Sequence, residues 1–279
     1  MTKNTYLITG GASGLGKSIA LELAQQNITD LKIAIADVHA ERGQTTVQTL
    51  KNLGIESFYH CCDITKISDV KDLYQAVEEK WQGVDVVINN AGVATGGSFQ
   101  SESIEQWQWV IDVNLLGMVR VSQVFLDCFK QQGYGHFVNV ASQAGLTPIP
   151  LMSSYNAVKS AVVALSETMK LEFVKYNVDV SVVCPSFFKT HLDESLRTSE
   201  AKVSMLMHKL FERAELTSEQ VARIVVKDMR AGKFLIVTHK EGHQAYRLKK
   251  LLPHQWYLTM MRKRTKSMLG PSSKTTYKE

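Results

Sequence analysis

The sequence predicts an α/β fold: a doubly wound parallel sheet of about seven strands with helices on both faces, followed by a C-terminal helical extension. Short apolar runs of strand length alternate along the chain with amphipathic stretches of helical length. The runs are apolar at successive positions, as in strands that are covered on both faces. The first run passes through a glycine-rich turn directly into a helical stretch, which is the start of a βαβ unit.

The composition is that of an ordinary globular protein, with 279 residues of which 44% are hydrophobic and 21% are charged. The spacing of Cys61, Cys62, Cys128 and Cys184 predicts neither a disulfide framework nor a metal site, so we expect buried free thiols in a reducing compartment. No signal-peptide pattern opens the sequence, and no uninterrupted apolar stretch reaches the roughly 20 residues of a membrane span. A cytoplasmic location is therefore expected.

The positive charge lies at the C-terminal end. Residues 241–279 contain nine basic and two acidic residues, which gives +7 and leaves −2 for residues 1–240 of the total of +5. We therefore expect a single domain over residues 1–240 and a basic, aromatic-rich extension over residues 241–279.

The first unit has the pattern of a dinucleotide-binding turn. A strand at residues 6–8 is followed by Thr9-Gly10-Gly-Ala-Ser13-Gly14-Leu15-Gly16 and by a helix over about residues 15–26. Gly10 allows the tight turn, Gly14 lets the backbone approach a pyrophosphate, and Gly16 lets the helix pack on the strand. The amides at the helix N-terminus favour a bound phosphate.

A second strand, at residues 31–36, ends at Asp37. A carboxylate about twenty residues after the glycines is placed to accept hydrogen bonds from the ribose hydroxyls of adenosine, and it would repel a 2′-phosphate. No basic residue follows Asp37 directly, which favours NAD over NADP. The alternative is that Asp37 only caps the helix that begins near Ala40.

Two further strands are predicted at residues 56–62 and 84–88. The first ends at Asp63-Ile64, where the carboxylate either contacts the adenine amino group or caps a helix that begins near Ser68. The second runs into Asn89-Asn90-Ala91-Gly92. A helical region over residues 104–132 contains Asn114, which is either a satisfied interior amide or a functional group.

The stretch around Tyr155 carries the strongest chemical pattern. A fifth strand, at residues 135–141, ends at Ser142, where a parallel sheet presents its ligand crevice. Tyr155 and Lys159 are four residues apart on a helix predicted over about residues 153–176, so they share one face. Because an ammonium favours a neighbouring phenolate, we expect a Tyr155 pKa below its reference of about 10 and a role in proton transfer.

The remaining segments complete the alternation. They are a strand at residues 178–184 that Pro185 ends, a mixed polar and apolar segment to about residue 213, a helix at 218–230 and a strand at 234–237.

Taken together, these motifs resemble those of the short-chain dehydrogenase/reductase family, which has a Rossmann-type fold, over about residues 4–240. The resemblance rests on Thr9-Gly10-x-x-x-Gly14-x-Gly16, on Asn89-Asn90-Ala91-Gly92, and on the set Asn114, Ser142, Tyr155 and Lys159. It implies an alcohol dehydrogenase or carbonyl reductase that transfers a hydride between nicotinamide and a secondary alcohol, ketone or aldehyde. Asp37 makes NAD the expected cofactor rather than NADP.

The resemblance also implies residue roles. Tyr155 exchanges a proton with the substrate oxygen, Ser142 hydrogen-bonds that oxygen, and Lys159 binds the nicotinamide ribose. Asn114 holds a water that links Lys159 to solvent. The implied cofactor-binding residues are Gly10, Ser13, Gly14, Leu15, Gly16, Asp37, Asp63, Ile64, Asn90, Ala91, Gly92, Tyr155, Lys159, Pro185 and Thr190.

One position departs from the family pattern. The family has Pro-Gly after the sixth strand, and this chain has Pro185-Ser186. Serine lacks the freedom of glycine at positive φ, so we expect an altered backbone there and a weaker basis for the Thr190 contact.

The resemblance implies a substrate loop at about residues 186–216, and the apolar residues there make a lipophilic alcohol or carbonyl compound the expected substrate. The apolar residues of this segment are Phe187, Phe188, Leu192, Leu196, Met205, Leu206, Met207, Leu210 and Phe211, and Leu146, Ile149, Leu151 and Met152 flank the central stretch. The alternative is that these side chains only pack on the domain.

The extension mixes basic residues with Tyr246, Trp256, Tyr257 and several leucines and methionines. Such a segment can lie peripherally on an anionic membrane at its inner surface. Packing at a subunit interface and a loose, solvated end are the alternatives. Nucleic-acid binding is not expected, because nothing else resembles a nucleic-acid module. The family resemblance implies a homo-oligomer, a dimer or a tetramer.

A second hypothesis is a non-catalytic dinucleotide-binding protein, a regulator or sensor that kept the fold. The complete set of Ser142, Tyr155 and Lys159 favours the enzyme, because a sensor does not need these groups.

Overall fold

A computed structural model describes residues 3–189 and 195–269 of the chain. Within them, seven parallel strands form one sheet in the order β3-β2-β1-β4-β5-β6-β7. The strands are β1 (Thr5–Thr9), β2 (Lys32–Asp37), β3 (Glu56–Cys61), β4 (Val86–Asn89), β5 (Gly135–Val140), β6 (Val178–Cys184) and β7 (Leu235–Val237). The chain moves outward from β1 in one direction and then from β4 in the other, so the sheet is doubly wound. The predicted fold class is confirmed.

Helices cover both faces of this sheet. They are α1 (Gly14–Ala24), α2 (Ala40–Asn52), α3 (Ile67–Trp81), α4 (Ile104–Ile111), α5 (Met118–Gln132), α6 (Gln143–Leu146), α7 (Ser153–Glu172), α8 (Ala201–Glu212), α9 (Ser218–Arg230), α10 (Lys240–Leu251), α11 (His254–Arg264) and α12 (Lys266–Leu269). A π-helical turn, Asp112–Gly117, joins α4 to α5, and a 3₁₀ turn, Phe173–Tyr176, follows α7.

The two faces of the sheet have separate cores. On one face, Ile8 of β1 packs with Ile19 of α1 and Val225 of α9. On the other face, Leu7 of β1 packs with side chains of α3 and α5 such as Phe125. Successive residues of β1 therefore enter different cores, as the pleat requires, and the strand is apolar throughout because both faces are covered.

Residues 104–132 are long and apolar enough to cross a membrane by length and composition alone. In this fold they form α4, the π-helical turn and α5, and Val121, Phe125 and Phe129 are buried in the core of the second face. Asp112 and Arg120 interrupt the apolar run in the sequence. The stretch is a core helix of the domain.

One segment contains a helix that the sequence analysis left unassigned, and one local expectation was wrong. The segment before residue 213 contains α8, whose Val203 and Met207 are buried and lie four residues apart, as expected for one face of a helix. All four cysteines are free thiols, but Cys61 is exposed because it ends the edge strand β3.

The described part of the extension folds back onto the domain. Gln143 of α6 donates from Nε2 to the Gly242 carbonyl at 3.3 Å, and Lys249 of α10 donates to the Leu146 carbonyl at 2.6 Å. Tyr257 of α11 is buried. For residues 241–269, the alternative of a loose, solvated end is therefore wrong.

Candidate active site

A cavity of about 830 Å³ lies over the carboxyl ends of the strands. Its lining includes residues that end or directly follow β1, β2, β3, β4, β5 and β6, so it includes the point between β1 and β4 where the strand order reverses. In a doubly wound sheet, this is where a ligand binds.

The glycine-rich turn forms one wall of the cavity. Gly10 has a φ of +63°, and its amide donates to the Ala36 carbonyl at 2.8 Å. A Cβ added to Gly16 would lie 2.3 Å from the Gly10 carbonyl oxygen, so no side chain fits between α1 and the turn. Gly10, Ser13, Gly14 and Leu15 line the cavity. Gly16 is behind them, in the packing position that the sequence predicts.

Asn90 connects this turn to the end of β4. Its side-chain amide donates to the carbonyls of Thr9 and Gly10, both at 3.0 Å. Ala91 and Gly92 continue the cavity wall beside it. A Cβ on Gly92 would lie 3.1 Å from Asn114 Oδ1, which leaves little room for a side chain.

Asp37 ends β2 and lines the cavity. Its two carboxylate oxygens accept hydrogen bonds from the backbone amides of Ala12 and His39, both at 3.0 Å. His39 is the N-cap residue of α2, so the alternative that Asp37 caps this helix is wrong.

Asp63 lies at the end of the next strand and also faces the cavity, with Ile64 beside it. Its Oδ1 atom accepts from the Thr65 amide at 3.0 Å and from the Thr65 hydroxyl at 2.7 Å. The N-cap residue of α3 is Lys66, so Asp63 shapes the turn that precedes the helix.

Arg42 is a residue of this wall that the sequence reasoning missed. It lies in the first turns of α2 and lines the same cavity as Asp37. The prediction considered only the residue directly after Asp37. A helix that starts three residues after a strand returns its first turn to the strand end, and that signal would have found Arg42.

Ser142, Tyr155 and Lys159 converge at the β5 end of the cavity. Ser142 is the N-cap of α6, and its hydroxyl accepts from the Ala144 amide at 3.1 Å and donates to the Pro185 carbonyl at 3.4 Å. The same hydroxyl lies near enough to the Tyr155 phenol to favour the ionised form of the phenol. Tyr155 lies in the first turn of α7, and Lys159 follows one turn later with its Nζ 5.7 Å from the Tyr155 ring centroid. Both side chains are buried. The Lys159 ammonium donates to the Val140 carbonyl at 3.0 Å.

The expected lowering of the Tyr155 pKa was wrong for this structure. Burial raises the pKa of Tyr155 to about 12, although the hydrogen bond with Ser142 opposes the rise. Burial also lowers the pKa of Lys159 to about 8. Desolvation of the phenol therefore outweighs the stabilisation of its ionised form, and the ammonium hydrogen-bonds Val140 rather than the phenol oxygen.

Asn114 lies behind the cavity wall rather than on it. The π-helical turn places it inside the protein, where Oδ1 accepts from the Val93 amide at 2.8 Å and Nδ2 donates to the Val93 carbonyl at 2.9 Å. Its side chain thus fixes the loop after β4, in agreement with a satisfied interior amide. Its role as the holder of a water stays a prediction.

The Pro185-Ser186 segment has no special backbone requirement. Pro185 lines the cavity, and Ser186 is not among the described residues with positive φ, so serine replaces glycine without strain. The Ser186 amide donates to Nδ1 of His239 at 3.3 Å. The expected change of backbone is therefore not needed to accommodate Ser186. Thr190 lies outside the described residues.

The far end of the cavity is apolar. Its walls include Ile149, Met152, Phe187, Phe188, Leu196 and Met207. Leu151, Leu206 and Leu210 pack against Met152 and Tyr155 behind this surface, Leu146 joins another core cluster, and Met205 is exposed. Leu192 and the side chain of Phe211 lie outside the described part of the chain.

The C-terminal extension supplies a wall that the sequence reasoning did not foresee. Glu241, Gly242, Ala245, Met261 and Arg264 line the same cavity as Tyr155. They are separated from Tyr155 by about a hundred residues, and their contact depends on the direction of the chain after β7. No local pattern encodes that direction.

Known proteins resemble this chain in both sequence and structure. The short chain dehydrogenase family model matches residues 4–201. D-beta-hydroxybutyrate dehydrogenase from Rhizobium meliloti is 31% identical over 241 residues, which cover 85% of this chain and 88% of that protein.

Two solved structures are similar. A short chain dehydrogenase/reductase from Burkholderia phymatum in complex with NAD is 29% identical with a TM-score of 0.83, covering 92% of this chain and 95% of its own. An alcohol dehydrogenase from the archaeon Thermococcus sibiricus complexed with 5-hydroxy-NADP is 27% identical with a TM-score of 0.70, covering 81% and 90%. The family model spans most of the chain, and the cavity collects the family's motif residues, so this protein belongs to the short-chain dehydrogenase/reductase family of NAD(P)-dependent oxidoreductases.

Proposed function

We propose that the protein is an alcohol dehydrogenase or carbonyl reductase for a lipophilic secondary alcohol, ketone or aldehyde, with Tyr155 as its general acid and base. One observation carries the proposal. The Tyr155 phenol and the Ser142 hydroxyl lie side by side in a cavity whose walls are glycine-rich at one end and apolar at the other.

The glycine-rich end fits a dinucleotide. The close packing at Gly16 and the positive φ of Gly10 and Gly14 keep side chains away from the N-terminus of α1, where phosphates bind. In this proposal, Asp37 accepts hydrogen bonds from the ribose hydroxyls of adenosine, and Lys159 donates to those of the nicotinamide ribose. When bound, the nicotinamide supplies or accepts the hydride.

Side chains of the protein transfer the proton. With a pKa of about 12, Tyr155 is protonated at neutral pH and donates its proton to the substrate oxygen as a carbonyl is reduced. The Ser142 hydroxyl donates a hydrogen bond to the same oxygen as negative charge develops there. The ammonium of Lys159 then stabilises the phenolate that remains. Oxidation of an alcohol uses the same groups in reverse.

NAD is the proposed cofactor, because the carboxylate of Asp37 would repel a 2′-phosphate. Arg42 lies on the same wall and acts in the opposite sense. The two hydrogen bonds from backbone amides hold the Asp37 carboxylate in place beside the cavity, and this fixed position supports the preference for NAD.

The proposal is tested by adding NADH to the purified protein and assaying a panel of ketones and aldehydes of increasing chain length. We expect NADH binding by fluorescence and turnover that improves with chain length. Binding without turnover on any compound would favour the alternative, a regulatory or sensor protein.

We also propose a homo-oligomer in the cytoplasm, with peripheral contact of the extension at the inner membrane surface. Leu251 and Trp256 are 81% and 68% exposed beside basic residues of α10 and α11, which supports the membrane contact. Light scattering after size exclusion gives the subunit number. Co-sedimentation with anionic and neutral vesicles tests the contact, and equal binding to both would contradict it.

A further inference from the structure

The helical pair α10–α11 forms a wall of the cavity, and α10 contacts α6 directly after Ser142. Glu241 and Ala245 lie on α10, and Met261 and Arg264 lie on α11, beyond the turn at Pro253. Because all four residues line the same cavity, both helices of the pair present a face to it.

This wall is fixed next to Ser142. Gln143, the next residue in the chain, donates from its side-chain amide to the Gly242 carbonyl. A Cβ at Gly242 would lie 2.5 Å from Gln143 Oε1, so a side chain at this position would displace Gln143. The buried side chains of Tyr257 and Thr265 hold α11 in place on both sides of its cavity-lining residues.

Arg264 is the basic residue of this wall. In the described part of the chain, its guanidinium forms no hydrogen bond or ion pair, and Glu241, the acidic residue of the same wall, is not within ion-pair distance. A guanidinium presents paired donors that match a carboxylate, and it stays charged at every working pH. Met261 lies three residues before Arg264 on α11, and apolar side chains such as Met152 line the same cavity.

We infer that Arg264 binds the carboxylate of the substrate, and that the substrate class is therefore apolar hydroxy and oxo acids. This inference rests on the proposed function. The apolar part of such a molecule contacts the cavity walls, its carboxylate meets Arg264, and its hydroxyl or carbonyl carbon faces Tyr155. Glu241 opposes the binding of the same group, which gives the two side chains opposite effects on affinity.

The first experiment uses the protein–NADH complex and measures binding of decanoate and decanol by calorimetry, so it requires no turnover. Arg264 is exposed, so Arg264→Gln should weaken decanoate at most about fivefold, the upper range for an exposed charge pair, and leave decanol unchanged. The loss should shrink as salt is raised. Arg262→Gln is the matched control, because Arg262 is exposed on α11 and does not line the cavity. Glu241→Gln should strengthen decanoate.

Equal effects of Arg264→Gln on decanoate and decanol would overturn the inference. Weaker binding of NADH itself would do the same, because it would assign Arg264 to the cofactor. In turnover of a β-hydroxy acid of ten carbons, the same variant should raise KM and keep kcat, while both constants for a secondary alcohol of the same chain length are kept. If the wild-type protein turns over neither the β-hydroxy acid, nor the secondary alcohol, nor any compound of the ketone panel, the proposed function is wrong. The binding of decanoate by Arg264 is judged independently, from the calorimetry.

Discussion

The carboxylate of Glu102 accepts two hydrogen bonds from Ser154, one from the backbone amide at 2.8 Å and one from the hydroxyl at 3.1 Å. Ser154 immediately precedes Tyr155 in the first turn of α7. The contact satisfies an amide that has no partner within the helix and puts an acidic group at the positive end of its dipole. Glu102 therefore positions Tyr155 from a loop that lies more than fifty residues earlier in the chain.

Removing this contact should reduce kcat more than KM. We expect Glu102→Ala to lower kcat about tenfold and the free energy of unfolding by about 1 kcal/mol, the typical effect of losing a helix cap. Glu102→Gln should recover most of the rate, because its amide oxygen can still accept from Ser154. Glu105→Ala, on the exposed surface nearby, is the control. Steady-state kinetics and urea unfolding give both values, and unchanged kcat in the alanine variant would contradict the positioning role.

Tyr155→Phe should keep the fold and the binding of NADH but lower kcat by about 10³-fold, within the range of lost general acid–base catalysis. The phenyl ring still fills the buried site, so only the hydroxyl is removed. Tyr176→Phe, in the 3₁₀ turn away from the cavity, should be fully active. A rate near that of wild type for the Tyr155 variant would exclude the mechanism.

The two directions of the reaction should respond differently to pH. Because burial raises the pKa of Tyr155 to about 12, the phenol is already protonated for carbonyl reduction, whose kcat/KM should not rise between pH 6 and pH 9. Alcohol oxidation requires the ionised phenol, so its kcat/KM should rise over the same interval. Burial lowers the pKa of Lys159 to about 8, so its charge is lost near that pH. We expect an inflection in the pH profile of oxidation there, and Lys159→Arg should remove it. An oxidation rate independent of pH would contradict this assignment.

The proposed preference for NAD should depend on Asp37. We expect Asp37→Ala to lower the ratio of kcat/KM for NAD over NADP about tenfold, a change that corresponds to about 1.4 kcal/mol. Arg42→Ala in that background should reduce the use of NADP again, because Arg42 is the cation on the same wall. If Asp37→Ala leaves the ratio unchanged, the only role of Asp37 is to accept its two backbone hydrogen bonds.

Acid should destabilise the protein through His136. Burial lowers the pKa of His136 to about 3, and its Nε2 lies 2.9 Å from the Ser181 hydroxyl. The unfolded chain binds a proton near the ordinary value of 6.5, so the contribution is complete above that pH and is lost as pH falls toward 3. We expect this group to reduce the free energy of unfolding by about 1 kcal/mol per pH unit between pH 6 and pH 4. Urea unfolding of His136→Gln should show a shallower dependence, and identical slopes would refute the claim.

Local sequence patterns predicted the parts of the site that local structure creates. The strand, turn and helix around Gly10 follow from residues close together in the chain, and the four-residue spacing of Tyr155 and Lys159 determines their common face on α7. Arg264 was not predictable in this way, because its place in the cavity depends on where β7 leaves the sheet. The Tyr155 pKa was predicted in the wrong direction, since charge proximity is visible in a sequence but the depth of burial is not.

The wall formed by α10 and α11 lies beyond residue 201, where the match to the family model ends. The proposed proton-transfer residues Tyr155 and Lys159 and the proposed carboxylate contact at Arg264 are thus encoded in separate stretches of the chain. Divergence in α10 and α11 can change which molecule binds while Tyr155 and Lys159 remain the same. A lineage can in this way acquire new metabolic uses without rebuilding its chemistry.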